Sequence, residues 1–191
     1  SGPIARMLGE YLRDTWPTTP PTIIESDEEL WPLGVRVEFR DVPVGIARTL
    51  PPTPTRRAVR EIENFYLAAI AQTEHRLYVE NQYFTSTRIA QAIAQRFQEQ
   101  PTVEGLLVGM DRPKTAAELH TMGYGRSAFS KLLDEAGVLD RIPLVAALTA
   151  DKGINVHSKL AVFDDRWLTV GSANLNRRSM GFDTECNLII E

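Results

Sequence analysis

The uneven distribution of proline divides the chain into two parts. Of the 12 prolines, 8 lie between residues 17 and 54. Proline has no backbone N–H and a fixed φ, so its clusters exclude helices and central strands there. Apolar residues at helical spacing predict one short helix over residues 4–12. We therefore predict an N-terminal helix and proline-rich extended arm over residues 1–55, followed by a compact domain over residues 56–191.

From residue 56 onward, the apolar pattern changes between helical and strand spacing. Apolar residues three and four positions apart predict helices over residues 59–70, 89–97 and 129–136. Short apolar runs predict strands at residues 77–79, 103–110, 144–148, 154–163, 167–170 and 186–190. Ser86 or Thr87 is expected to cap the second of these helices. Alternating elements followed by clustered strands favour an α/β domain, with a mixed, largely parallel sheet flanked by helices.

The composition excludes several classes of protein. The chain has 191 residues, and 43% of them are hydrophobic, which is enough to form a core at this size. Its single cysteine excludes an internal disulfide and a cysteine-based zinc cluster. No apolar run approaches the ~18 residues of a membrane span. A net charge of −4 argues against a protein that mainly binds nucleic acid, so no stable nucleic-acid partner is expected.

Two basic residues in the C-terminal part carry the candidate chemistry. His157 and Lys159 are two positions apart on a predicted strand, so their side chains should lie on the same face. A titratable imidazole beside a fixed positive charge suits an anionic centre such as a phosphate. Taken alone, such a pair is more often part of an ordinary surface, and the residues around it decide the interpretation.

Further polar residues follow in a predicted loop. Gly171 permits a close approach of the backbone, while Ser172 and Asn174 can hydrogen-bond phosphate oxygens or hold the loop. Asp183 and Glu185 come after the loop, and a carboxylate there could bind the Nδ1–H of an imidazole and determine its tautomer.

Two other polar segments are candidates for site lining. Glu80, Asn81 and Gln82 leave the end of a predicted strand, where the active sites of α/β proteins gather. These three side chains could line a site or form a polar network. Arg177 and Arg178 could both reach a phosphate, although a salt bridge is favoured for Arg178.

The complete pattern resembles the phospholipase D superfamily. Residues 157–164 read H-x-K-x4-D and residues 171–174 read G-S-A-N, which match the motif of these enzymes and its G-S-x-N extension. Residues 78–84, Y-V-E-N-Q-Y-F, are similar to the I-Y-I-E-N-Q-Y-F stretch of bacterial and eukaryotic phospholipases D. N-R-R-S at residues 176–179 resembles the downstream N-x-R-S of the family. The resemblance spans about residues 56–191 and implies a phospholipase D-like half-domain.

The resemblance implies phosphodiester hydrolysis or transphosphatidylation on phospholipids in two steps. One family histidine attacks the phosphorus and forms a phosphohistidine. A second histidine protonates the leaving alkoxide and then activates water or an acceptor alcohol. Lysines and the G-S-x-N side chains hold the phosphate oxygens. This chemistry needs no metal or cofactor, and the sequence has no tight Asp, Glu and His cluster of the metal-ligand type.

The sequence departs from the family in having one H-x-K motif, whereas family members combine two, in one chain or across a homodimer. Residues 1–55 resemble the segment located after the first motif in two-motif members, so the chain is expected to be the second half of a longer protein. The resemblance then assigns His157 as general acid, Lys159 as phosphate ligand and Glu185 as orienting carboxylate. Asp164 is also placed in the site by the motif, although its position in a turn would suit a structural role.

These observations leave three functions open. The chain could supply one half of a phospholipid phosphodiesterase or phosphatidyltransferase, inactive unless it pairs with the missing N-terminal motif half or a second copy. It could instead be a single-motif nuclease or phosphodiesterase that completes its site as a homodimer. It could also be a catalytically incomplete half-domain that provides only an interface for the missing half. Trp31 on the arm could contact a membrane surface, which would make the protein membrane-peripheral.

Overall fold

A computed structural model describes residues 3–15, 34–36, 39–111, 123–150 and 152–191. Trp31 and the first proline cluster lie outside the described residues. The described helices are α1 (Pro3–Thr15), α2 (Glu61–Gln72), α3 (Thr87–Glu99), α4 (Tyr124–Glu135) and α5 (Arg177–Gly181). The described strands are β1 (Val44–Leu50), β2 (Val59–Arg60), β3 (Arg76–Asn81), β4 (Glu104–Gly109), β5 (Leu144–Ala146), β6 (Lys159–Phe163), β7 (Trp167–Gly171) and β8 (Glu185–Ile190). None of the described helices has the length and apolar character needed to cross a membrane.

The described strands form one mixed sheet of eight strands in the order β2-β1-β8-β7-β6-β3-β4-β5. The sheet and its helices confirm the predicted α/β class. The prediction of a largely parallel sheet is wrong. Only the β3–β4 and β4–β5 pairs are parallel, and the other neighbouring strands are antiparallel. The parallel strands are joined through α3 and α4, whereas a short turn joins β6 to β7. A connection of that length permits only antiparallel pairing.

α2 and α3 form a buried layer with the sheet because their apolar residues recur at helical spacing. Tyr66 and Ile70 of α2 are almost completely buried. The Tyr66 ring packs edge-on against Phe163 of β6, with ring centroids 5.8 Å apart. Ser86 caps α3, since its Oγ accepts a hydrogen bond from the N–H of Ile89 at 3.4 Å. This layer connects the strand that carries the basic motif to the main core.

β1 is a strand where the sequence analysis predicts an extended arm. It pairs with β8 over six consecutive positions and also pairs with β2. Pro43 and Pro51 flank the strand without interrupting it, so the hydrogen-bond ladder needs no donor from a proline. Part of residues 1–55 therefore belongs to the sheet, and the domain division at residue 55 stays a prediction.

Gly171 provides a test of the packing between β7 and β8. A Cβ added at Gly171 would lie 2.5 Å from the Cα of Asn187 and closer still to the carbonyl oxygen of Cys186. Gly171→Ala is therefore expected to lower the free energy of unfolding by about 2 kcal/mol or more, measured by urea denaturation. Gly45→Ala is the matched control, because a Cβ on Gly45 of β1 would meet no atom within 4 Å. Equal losses in the two variants would contradict this explanation.

Candidate active site

The two basic residues of the motif lie at one end of β6. Lys159 is the first residue of the strand and is buried, with 7% of its surface exposed. His157 is exposed and precedes the strand. The prediction that both residues lie on one strand is therefore wrong, because β3 pairs with β6 only as far as Asn81, opposite Lys159. An exposed imidazole thus lies two residues before a buried ammonium group.

Two acceptors hold the ammonium group of Lys159. Its Nζ donates hydrogen bonds to the backbone oxygen of His157 at 2.8 Å and to Oε1 of Gln82 at 3.3 Å. Burial lowers the pKa of Lys159, and the negative charge of Glu185 opposes that shift. A lysine ammonium has three N–H donors. One N–H donor of Lys159 therefore remains for an anion. Gln82, which is predicted to bind substrate, contacts the Lys159 ammonium group.

Two buried asparagines hold the loop that begins at Ser172. Asn81 accepts a hydrogen bond from the N–H of Leu175 at 3.0 Å and donates one to the carbonyl oxygen of Ala173 at 3.4 Å. Asn187 of β8 accepts a hydrogen bond from the N–H of Ala173 at 3.2 Å. Asn81 is completely buried and supports the loop, and the substrate contact expected of Asn81 stays a prediction.

Asn187 is a supporting residue that the motif and its spacing do not predict. This side chain is buried in β8 and also donates a hydrogen bond to Oγ1 of Thr169 at 3.2 Å. A buried amide needs such partners, because an unpaired polar group in a core costs free energy. A lone asparagine within an apolar strand was the signal in the sequence that could have identified it.

Ser172, at the start of this loop, contacts Glu185, the first residue of β8. The Ser172 hydroxyl donates to Oε2 of Glu185 at 2.5 Å and accepts a hydrogen bond from the N–H of Cys186 at 3.0 Å. Among the described residues, no hydrogen bond joins Glu185 to His157, so the orienting role of Glu185 stays a prediction. The side-chain oxygen of Asn174 is buried and has no partner within the described parts of the chain.

Glu80 connects β3 to the residue between the two basic side chains. Its carboxylate accepts hydrogen bonds from the hydroxyls of Ser158 at 2.6 Å and Tyr78 at 2.5 Å. The Ser158 hydrogen bond, followed by that of Tyr78, lowers the pKa of Glu80 against the effect of burial. The hydrogen bond to Glu80 is also the main cause that raises the pKa of Tyr78 to about 12. Glu80, a predicted substrate contact, therefore holds the segment that carries His157 and Lys159.

Asp164 lies at the opposite end of β6 from Lys159. Its carboxylate accepts hydrogen bonds from the backbone N–H groups of Glu74, His75 and Arg76 at 2.8–2.9 Å. Burial alone would raise the pKa of Asp164, but the three donors together lower it. Asp164 therefore anchors the start of β3. This position agrees with the structural alternative for the residue and does not fit a catalytic role beside Lys159.

The mixed sheet, the basic pair at one end of its interior strand β6 and the supported loop together define a phospholipase D-like α/β domain. A protein family described as cardiolipin synthase, PLD-like domain, matches residues 66–191. The chain belongs to this family, which confirms the resemblance to the phospholipase D superfamily.

The chain is similar to short parts of longer relatives. Phospholipase D of Phytophthora infestans is 29% identical over 174 residues, and phospholipase D1 of Saccharomyces cerevisiae is 30% identical over 173 residues. Each of these two alignments covers 68% of this chain and 10% of the relative. Cardiolipin synthase B of Salmonella typhi is 27% identical over 135 residues, which cover 68% of this chain and 28% of that protein.

Solved structures share the fold. Nuc, a phospholipase D family member from Salmonella typhimurium, has a TM-score of 0.57 and 18% identity, and the match covers 78% of this chain and 83% of Nuc. Phosphatidylserine synthase from Haemophilus influenzae has a TM-score of 0.58 and 17% identity, with 78% of this chain and 34% of that chain covered. At these identities, the likeness shows a common fold.

Asp164→Asn is expected to destabilise the protein at neutral pH, because an amide offers one acceptor oxygen where the carboxylate offers two. The free energy of unfolding should fall by about 1–2 kcal/mol, measured by urea denaturation. The pKa of Asp164 is lowered in the folded state, so this stabilisation is present above the ordinary value of 3.8 and disappears as the pH falls through the folded-state value. The difference between wild type and variant should therefore shrink in acid. Asp165→Asn, an exposed neighbour, is the control and should show no comparable loss.

Glu80→Gln is expected to lower the pKa of Tyr78 from about 12 toward its ordinary value, because the Glu80 carboxylate is the main cause of the shift. Carbon-13 NMR of labelled tyrosine rings measures this pKa, and Tyr78→Phe identifies the resonance. Glu99→Gln removes an acid from the end of α3 and should leave the Tyr78 titration unchanged. An unchanged Tyr78 pKa in Glu80→Gln would contradict the contact on which the positioning role of Glu80 rests.

Proposed function

We propose that this chain supplies one half of a two-motif site for hydrolysis or transphosphatidylation of phospholipids. The observation that carries the proposal is the exposed His157 two residues before the buried Lys159, whose ammonium keeps one donor for an anion. The similarity to phospholipases D and to a cardiolipin synthase supports a phospholipid substrate. Because the chain spans a small part of these relatives, the partner motif is proposed to come from another half.

In the proposed reaction, a histidine of the other motif attacks the phosphorus and forms a P–N bond while the P–O bond to the leaving group breaks. His157 begins protonated and gives its proton to the leaving alkoxide. The neutral imidazole then removes a proton from water or an acceptor alcohol, whose oxygen attacks the phosphorus as the P–N bond breaks. Lys159 holds a non-bridging oxygen through both steps, since its charge balances the phosphate charge.

The supported loop supplies the remaining groups of the proposed half-site. We keep Ser172 and Asn174 as phosphate ligands and Glu185 as the partner of the His157 ring. The buried oxygen of Asn174 has no donor among the described residues, and an unpaired buried acceptor costs free energy. A donor from the substrate or from the other half would satisfy this atom, which supports a site that another component completes.

Exposed apolar side chains support pairing with another half. Leu148 and Ile154 lie in the segment between β5 and His157, and their exposed fractions are 63% and 44%. Burying apolar surface of this kind favours association. The same surface would also suit a half-domain that acts only as an interface, so turnover must distinguish the two functions.

A symmetric pair of this chain is the second candidate. The match to Nuc covers 83% of that chain, so a domain of this size is known as a separate chain with the same fold. In such a pair, a twofold axis would bring two copies of His157 to one phosphate. The substrate could then be a phosphodiester of another kind, including nucleic acid.

Hydrolysis of bis(para-nitrophenyl) phosphate by the folded chain, measured across a concentration series, separates these candidates. We expect no turnover from the chain alone, because one motif supplies only one histidine. Rates that rise more steeply than the protein concentration and vanish in His157→Asn would favour the symmetric pair. Turnover that is linear in protein and lost in His157→Asn would contradict the half-site proposal.

His157→Asn also has an expected effect on turnover in a protein that contains both motifs. His157→Asn is then expected to lower kcat by about 100-fold or more, the loss typical for a missing general acid. His75→Asn is the matched control, because His75 is exposed and lies beside the Asp164 anchor at the far end of β6. Equal activity of the two variants would contradict the role proposed for His157.

A further inference from the structure

A charged cavity is lined by residues other than those of the proposed half-site. Its volume is about 420 Å³, and Arg60, Arg88 and Arg177 contribute to its lining together with Glu63 and Phe182. The arginines come from the end of β2, the start of α3 and the start of α5. Three arginines thus line the cavity with one carboxylate, so the lining carries an excess of positive charge.

Glu63 arranges two of the three arginines. Its side chain is 6% exposed, and its Oε2 lies 2.7 Å from the Nη1 of Arg88 and 3.7 Å from the Nη1 of Arg60. Gly181 leaves space for Arg60, since a Cβ at that position would lie 3.2 Å from the Arg60 Cζ. A guanidinium has five N–H donors, so both arginines keep donors that Glu63 does not use.

Arg177 differs from its neighbour Arg178. The Arg178 guanidinium binds Asp183 at 2.8 Å, as the sequence analysis favours. Arg177 is exposed and has no hydrogen bond or ion pair with any residue in the described parts of the chain. An arginine that faces a cavity beside two others is repelled by them. A bound anion would remove that repulsion and supply acceptors for all three groups.

We propose that this cavity binds a phosphate group, independently of the site that contains His157. Guanidinium groups match phosphate oxygens through paired hydrogen bonds. Ser86 and Thr87 also line the cavity, and a threonine hydroxyl can donate to the same oxygens. Phe182 is 63% exposed at this cavity, which gives an apolar contact for the organic part of a phosphate ester. The phosphate could belong to a lipid head group or to a soluble phosphate, and the two sources can be distinguished.

Titration of the folded chain with inorganic phosphate, followed by NMR of the backbone amides, tests the proposal. Saturable shifts are expected at Arg88, Gly181 and Phe182, and Arg177→Gln should weaken this binding about tenfold. Arg178→Gln is the matched control, because it removes the same charge from the adjacent position and should change the binding by about twofold or less. Circular dichroism of both variants shows whether they are folded.

Sedimentation with vesicles provides the second arm. Phosphatidylcholine vesicles with and without phosphatidic acid are compared for wild type, Arg177→Gln and Arg178→Gln. Binding that needs phosphatidic acid and Arg177, but not Arg178, identifies a lipid phosphate as the source. Binding of inorganic phosphate alone with the same dependence identifies a soluble one.

Binding that depends on Arg177, in the phosphate titration or in the vesicle sedimentation, supports the cavity as a phosphate site. Equal effects of the two arginine variants in both arms, or no binding in either arm, would overturn it. Neither arm measures turnover, so a failure of the proposed function leaves this test unaffected.

Discussion

The antiparallel pairing of β3 with β6 is the constraint on which the candidate site depends. It places Asn81 opposite Lys159 at one end and leaves His157 just beyond the last paired residue. At the other end, the Asp164 carboxylate binds the backbone at the start of β3. β6 is therefore secured at its far end by a structural aspartate, while its near end presents a buried ammonium and an exposed imidazole.

Two buried asparagines and one partly buried glutamate determine how the near end is arranged. Asn81 and Asn187 hold the loop from both sides, and Glu80 holds the residue between the basic pair. Each of these hydrogen bonds lies in a partly or fully buried region, where a lost partner costs more than it does in water. The geometry of the site thus depends as much on its supports as on the residues proposed to contact phosphate.

The helices and most strands could be predicted because their apolar residues follow one local period. α2 and α3 have helical spacing, and Ser86 is a favoured capping residue. β1 escaped prediction because the prolines around it indicate an arm, and only the partner strand β8 shows that they flank a strand. The sheet also contains fewer parallel pairs than expected. Strand order is a property of long-range pairing, which a local apolar pattern does not contain.

By itself, the sequence determined the family, the α/β class and the residues that carry the candidate chemistry, since the motif and its spacing are written in consecutive residues. Only the tertiary structure decided which of those residues share a site. It separated Asp164 from Lys159, showed the supporting hydrogen bonds of Asn81 and Glu80, and added Asn187 from β8. It also gathered three arginines from separate elements around one cavity. The physical reason is that burial, hydrogen-bond partners and charge neighbours arise from contacts between distant parts of the chain.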